Sequence, residues 1–321
     1  MLEHGGKLRA AAAQWNIPLA DWLDLSTGIA PWSYPLPAPP AEVWQRLPEA
    51  DDGLEAAAQH YYGIGDDNER LVMLPGSQAG IQLLPRLFAP GRVAMSMPLY
   101  NEHPAAWQAC GHVLAGWEEP ADYAVLCNPN NPTGACHTRE ALLERARTLR
   151  LLVVDEAFID AAPEESLAAL AGGPGAENIV VLRSLGKFFG MAGARVGCAI
   201  GAPELLDRLR AALGPWAVSH PARWAARRAL ADADWHAAQR ARLRGAAGRL
   251  AALLCATGLG TPAGTAFFQY VVTPRSAELH AALASRAILV RAFAAPAALR
   301  FGLPGNEIEW QRLSDCLQEI V

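Results

Sequence analysis

Between residues 70 and 182, five short and almost unbroken apolar runs alternate with stretches of helical period, and no other feature of the sequence constrains the fold as tightly. The runs are RLVML, RVAM, YAVLC, LLVV and NIVVL; the stretches between them include SQAGIQLLPRLF, NEHPAAWQACG and TREALLERARTL. A strand with one face in water alternates apolar and polar residues. A strand covered on both faces is apolar throughout, as parallel strands beneath crossover helices are. The pattern predicts an α/β doubly wound domain around a mostly parallel central sheet.

The texture changes near residue 205. A long Arg- and Ala-rich helical stretch follows, then the short strands FFQYVV, AILVRAF and LRFGL, and a closing helix from Asn306. Upstream, residues 31–48 hold six prolines and read as a strap between an N-terminal arm and the main domain. A chain of 321 residues is long enough for a large and a small domain sharing a cleft. The expected division is a large domain over 40–205 and a small α+β domain built from 1–39 and 206–321. The arginines at 223, 227, 228, 240, 242, 244 and 249 read as a solvated helix face.

Composition excludes several classes. With 52% apolar and 18% charged residues the chain reads as globular throughout, and a net charge of −5 offers no broad basic surface for nucleic acid. No window approaches 18 uninterrupted apolar residues, so no membrane span is expected, and the first residues lack the apolar core of a signal peptide. The six cysteines show no CxxC spacing and suit free thiols in a reducing cytoplasm; the eight histidines are scattered, and no metal site is expected.

In an open α/β sheet, ligands bind beyond the carboxyl ends of the strands, and the polar residues here cluster just after the apolar runs. Pro75-Gly76-Ser77-Gln78 follows the first run. Its amides and the Ser77 hydroxyl suit a phosphate, and an ordinary N-capped turn explains them equally well. Asn128-Pro129-Asn130-Asn131-Pro132-Thr133-Gly134 follows the third, and Asp155-Glu156-Ala157-Phe158 the fourth. A carboxylate at the end of a doubly buried strand demands a cation or strong donor, unless it caps a following helix. After the fifth run comes RSLGKFFGMAGARVG, where Lys187 lies among Leu185, Phe188 and Phe189. Poor solvation lowers the pKa of such an ammonium, and the neutral amine attacks carbonyl carbons. Ser184 and Arg195 add a hydroxyl and a fixed cation for a phosphate dianion.

The order PGSQ, NPNNPTG, DEAF, SLGKFFGMAGARVG resembles that of the fold-type I pyridoxal-phosphate enzymes, the aspartate-aminotransferase-like superfamily. The match spans nearly the whole chain. The resemblance implies pyridoxal 5'-phosphate carried covalently by Lys187, with Asp155 at its ring nitrogen and Asn131 at its 3'-oxygen. It gives the phosphate to Gly76, Ser77, Gln78, Ser184 and Arg195, and stacks Tyr100 on the ring, although Tyr100 read alone is equally a core aromatic. Arg300, in ALRFGL, matches the arginine that clamps the substrate α-carboxylate. Arg291, in an otherwise apolar strand, needs an anion, either a ligand or a structural partner.

Within the superfamily, His4-Gly5-Gly6, DLSTG (24–28), Gly186 and Phe158 resemble the threonine-phosphate decarboxylases of cobalamin biosynthesis, with histidinol-phosphate aminotransferases next. The first resemblance implies decarboxylation of L-threonine O-3-phosphate to (R)-1-amino-2-propanol O-2-phosphate, with His4, Gly5 and Arg291 toward the small phosphorylated amino-acid substrate. It also implies a cytoplasmic homodimer. The alternative is transamination by a class I/II enzyme. Two positions depart from the family pattern: Leu47-Pro48 stands where a tyrosine usually precedes the proline, and Ile29-Ala30-Pro31 lacks the usual asparagine. A ligand-sensing relative would carry a DNA-binding module, for which the chain has no spare length. A dinucleotide-binding domain would require GxGxxG after the first strand, which PGSQAG does not supply.

Overall fold

The computed structural model describes residues 4–65 and 68–321, which form two compact units. The larger comprises residues 33–131 and 136–240, the smaller 1–32, 132–135 and 241–321. Residues 206–240, assigned from sequence to the small domain, therefore group with the large one. The reason is local. Arg223, expected in solvent, is buried in the helix His220–Ala231 and binds Asp52 and Glu55 at 2.8 and 2.6 Å, which ties that helix to Leu54–Tyr62 of the same unit.

The strands in chain order are β1 (Leu23–Asp24), β2 (Leu71–Leu74), β3 (Arg92–Met95), β4 (Val113–Gly116), β5 (Tyr123–Cys127), β6 (Leu151–Asp155), β7 (Ile179–Ser184) and β8 (Gly197–Ile200). They continue with β9 (Ala263–Thr265), β10 (Phe268–Val272), β11 (Ile288–Leu289), β12 (Arg291–Ala294) and β13 (Ala297–Gly302).

In the larger unit the sheet order is β2-β8-β7-β6-β5-β3-β4. Only β8 runs against its neighbours. The five apolar runs became β2, β3, β5, β6 and β7, and β5 and β6 are buried at every position, as their composition requires. Two strands, β8 and β4, lie outside those five runs. β8 begins at Gly197, where an added Cβ would stand 2.5 Å from the Arg183 carbonyl oxygen, so only glycine permits this pairing. β4, VLAG, is one of the two edge strands and is half exposed.

Helices follow the strands closely. Thr138 caps Arg139–Ala146 by accepting from the Ala141 amide at 3.2 Å, and Ser184 caps the short helix Leu185–Phe188 by accepting from Gly186 at 3.3 Å. No helix among the described residues is long and apolar enough to cross a membrane.

The smaller unit contains an antiparallel sheet in the order β12-β13-β10-β9 and a parallel pair, β1 with β11. The N-terminal arm packs Ala11 and Trp22 against Ala284, Ala287 and Leu289. Asn306 caps the closing helix Glu307–Ile320, its Oδ1 accepting from the Glu309 amide at 3.0 Å, and the Glu309 carboxylate accepts from Asn306 Nδ2 at 2.8 Å and from the Gly305 amide at 2.6 Å.

Candidate active site

Asp155, the last residue of β6, is 4% exposed. Its Oδ2 lies 3.0 Å from Nε2 of His103, and its Oδ1 accepts from the Ala157 amide at 3.1 Å. The cationic or donor partner demanded by the sequence is thus a buried histidine of the helix Glu102–Ala109. Cys127, the last residue of β5, pairs in register with Asp155. Burial, and then the Asp155 carboxylate, push its thiol well above the ordinary value, so it sits beside the acid as a protonated thiol. The backbone amides of Tyr100 and Asn131 also reach that thiol, which brings the MPLY and NPNNPTG turns to the same strand ends.

The phosphate-type turn is closely built. Gly76 has φ +81°, and a Cβ there would lie 2.7 Å from Nη2 of Arg195. A Cβ on Gly197 would lie 2.6 Å from the Ser77 amide nitrogen. The Arg195 guanidinium therefore lies directly against the turn whose amides open the helix Ser77–Leu83. A cation beside amide donors is a donor set for a phosphate dianion, and it forms only because both flanking positions lack side chains.

Gln78 plays a different part from the one its position suggests. Its Nε2 donates to Glu102 at 2.9 Å and its Oε1 accepts from the Tyr100 hydroxyl at 3.3 Å, so the side-chain amide is spent on orienting Tyr100. Gln82 donates to the same Glu102 carboxylate at 2.9 Å. Burial, and then Glu102, raise the Tyr100 phenol to about 12, which keeps it protonated and donating at neutral pH.

Lys187 is half-buried, with its Nζ 5.6 Å from the centre of the Phe158 ring. Phenylalanine at 158 therefore gives the ammonium an aromatic face in place of a phenol oxygen. The segment after the lysine is clamped. Phe189 stacks on Trp235 at 5.6 Å and 10°, Gln239 donates to the Phe188 carbonyl at 3.0 Å, and Ser33 to that of Gly190 at 2.8 Å. Behind it, Arg183 is 2% exposed and binds Glu156 at 3.1 Å and Asp160 at 2.5 Å, while Ser166 also donates to Glu156. This buried trio joins the strand end carrying Asp155 to the one carrying Ser184.

His103, Glu102 and the Arg183 trio were not singled out from sequence. Nothing local marks them: His103 follows Tyr100 by three residues within an ordinary helical stretch, and only the fold sets it against Asp155.

The remaining candidates lie in the smaller unit. Nη2 of Arg300, on β13, donates to the Ser26 carbonyl at 2.9 Å, and its guanidinium lies 5.0 Å from the Phe268 ring centre. Arg291, on β12, pairs directly with Arg300 and lies 5.4 Å from the Phe293 ring centre. The His4-Gly5-Gly6 segment meets the same serine. The Gly6 amide donates to Ser26 Oγ at 2.7 Å, and a Cβ on Gly5 would fall 2.2 Å from the Ser26 carbonyl oxygen. Ser26, in the DLSTG stretch, thus links the HGG segment to Arg300.

The family model for class I and II aminotransferases matches residues 45–314, and the chain belongs to that family. It is 50% identical to threonine-phosphate decarboxylase of Pseudomonas aeruginosa, over 99% of this chain and 97% of that protein. It is 40% identical to threonine-phosphate decarboxylase of a Sinorhizobium species, over 98% and 97%. The crystal structure of histidinol-phosphate aminotransferase from Sinorhizobium meliloti, in complex with pyridoxal-5'-phosphate, superposes with a TM-score of 0.83 at 22% identity, covering 99% of this chain and 95% of that one. At that identity the likeness establishes the aspartate-aminotransferase-like fold.

Proposed function

We propose that this protein is a pyridoxal-phosphate-dependent lyase that decarboxylates L-threonine O-3-phosphate to (R)-1-amino-2-propanol O-2-phosphate, a step of cobalamin biosynthesis, as a homodimer in the cytoplasm. The full-length similarity to threonine-phosphate decarboxylases carries this reading. The donor set of the larger unit fits the cofactor: an amine over an aromatic face, a buried acid backed by histidine, and an arginine lying on a glycine turn that a Cβ would fill.

Lys187 would hold the carbonyl carbon of the cofactor, Asp155 its ring nitrogen, Asn131 its 3'-oxygen and Tyr100 one face of the ring. Its phosphate would be met by the Gly76, Ser77 and Gln78 amides, Ser184 and Arg195. Bound there, pyridoxal phosphate supplies an electron sink for the pair left on the α-carbon when a bond to it breaks. Asp155, held in place by His103, would keep the ring nitrogen protonated. Arg300 would grip the substrate α-carboxylate and so set which α-carbon bond is broken, while Arg291, His4 and Gly5 would take the substrate phosphate. Lys187 Nζ would be the acid that returns a proton to the α-carbon after carbon dioxide leaves.

The reaction is tested by following carbon dioxide released from L-threonine O-3-phosphate without 2-oxoglutarate. Lys187→Ala should abolish release and the visible absorbance of bound cofactor. Transfer of the amino group of histidinol phosphate to 2-oxoglutarate, with no carbon dioxide from threonine phosphate, would assign the chain to transamination instead.

A further inference from the structure

Three strands of the smaller unit place Arg291, Arg300 and Tyr270 in one transverse row. Arg291 is directly opposite Arg300 across β12 and β13, and Arg300 is directly opposite Tyr270 across β13 and β10. Residues opposite one another in an antiparallel sheet project from the same face with Cβ atoms about 5 Å apart. Phe268 and Phe293, two residues along their strands, share that face; Tyr270 meets Phe293 edge-on at 5.7 Å, the Arg291 guanidinium lies over Phe293 and that of Arg300 over Phe268.

Tyr270 completes the row with a donor. It is 4% exposed, and its hydroxyl has no hydrogen-bond partner among the described residues. A buried hydroxyl without a partner is disfavoured, and such groups in folded proteins await a ligand or water. Burial raises the phenol above its ordinary value, so the proton is present to be donated at neutral pH. No pattern in the sequence selects Tyr270: it stands in the apolar run FFQYVV and reads as core.

We propose that Tyr270 is a substrate-binding and specificity residue whose hydroxyl donates a hydrogen bond to the oxyanion held by Arg300. The proposal rests on the decarboxylase reading only in naming that oxyanion as a group of a phosphorylated amino acid. The hydroxyl selects for an acceptor at a fixed place between the aromatic edges, where a guanidinium alone would accept an anion over a broader range of positions.

The test compares wild-type holoenzyme with Tyr270→Phe, which removes one oxygen and keeps the ring. The KM for L-threonine O-3-phosphate should rise about tenfold, the effect of losing one hydrogen bond to a charged group, with kcat within about twofold. Calorimetric titration with L-threonine, which has the carboxylate and no phosphate, and with O-phosphoethanolamine, which has the phosphate and no carboxylate, reads binding without turnover. Weaker binding of L-threonine alone places the hydroxyl at the carboxylate and supports the proposal; weaker binding of O-phosphoethanolamine alone would place it at the phosphate, away from the oxyanion assigned to Arg300, and overturn it. If both bind the variant as tightly as the wild type, with an unchanged melting temperature, the proposal is wrong. A wild-type enzyme that releases no carbon dioxide from threonine phosphate would end the decarboxylase reading and leave the two titrations to judge Tyr270 by themselves.

Discussion

The strand ends of the larger unit and the sheet face of the smaller one both collect polar side chains, by opposite geometries. Parallel strands deliver their carboxyl ends to one edge, so each strand contributes one residue or turn there, and its charge is met by neighbours of the same unit. Asp155 has His103, and Glu156 and Asp160 have Arg183. The antiparallel sheet instead lines up residues from three strands across its face, and the row Arg291–Arg300–Tyr270 ends in a hydroxyl that the described residues leave unmet. The first arrangement is largely complete as folded. The second leaves the Tyr270 hydroxyl for the ligand we propose.

The sharpest way to break this contrast is to remove one buried polar group from each region. Arg183→Met leaves Glu156 and Asp160 buried without their cation and should cost about 3–5 kcal/mol of stability, read as a lower urea midpoint. A loss under about 1 kcal/mol would show that the larger unit does not depend on its internal pairing. Tyr270→Phe removes a hydroxyl that has nothing to lose and should leave the midpoint unchanged, or raise it by up to about 1 kcal/mol.

A smaller effect sharpens the comparison within the larger unit. His103→Asn shortens the donor to Asp155 and should lower kcat by about ten- to a hundredfold, the equivalent of one hydrogen bond to a charged group, while the KM for substrate changes little. A matching rise in KM with kcat intact would place His103 at the substrate instead.

The smallest effect concerns pH. Burial lowers the pKa of His236, which lies 2.6 Å from the Ala229 carbonyl oxygen and edge-on to Tyr61 and Phe189. A histidine depressed in the folded state binds fewer protons there than in the unfolded chain. Its contribution is therefore complete above the ordinary value of about 6.5 and is lost as the pH falls through the lower folded value. Melting temperature should drop with acidification over that window. His236→Phe should flatten the drop, and an identical pH profile in that variant would remove His236 as its source.

Much of the larger unit was legible because its signals are local. A doubly buried strand must be apolar, and the residue that ends it must be polar, so LLVVD and IVVLRS announced both strand and site. β8 and β4 were missed although both are short apolar segments: one opens on the tight approach at Gly197, the other, VLAG, is partly exposed. Of the arginines of the long helical stretch, those at 227, 228, 242, 244 and 249 are exposed, as charge patterning expects. Arg223 is the buried exception, locked to Asp52 and Glu55, more than 160 positions earlier. Gln78 was read from its place in a turn, yet its amide is taken by Glu102 and Tyr100.

From residue order alone came the parallel sheet, the lysine in apolar surroundings, the acid at the end of β6 and Arg291, because backbone periodicity and the cost of burying charge act over a few neighbouring residues; Arg300 came from the resemblance to the family. Which groups those residues meet was decided by tertiary structure: histidine on the acid, arginine against the glycine turn, and a tyrosine beside two guanidiniums. Strand register and helix packing join positions far apart in the chain, and no short stretch of sequence encodes that distance.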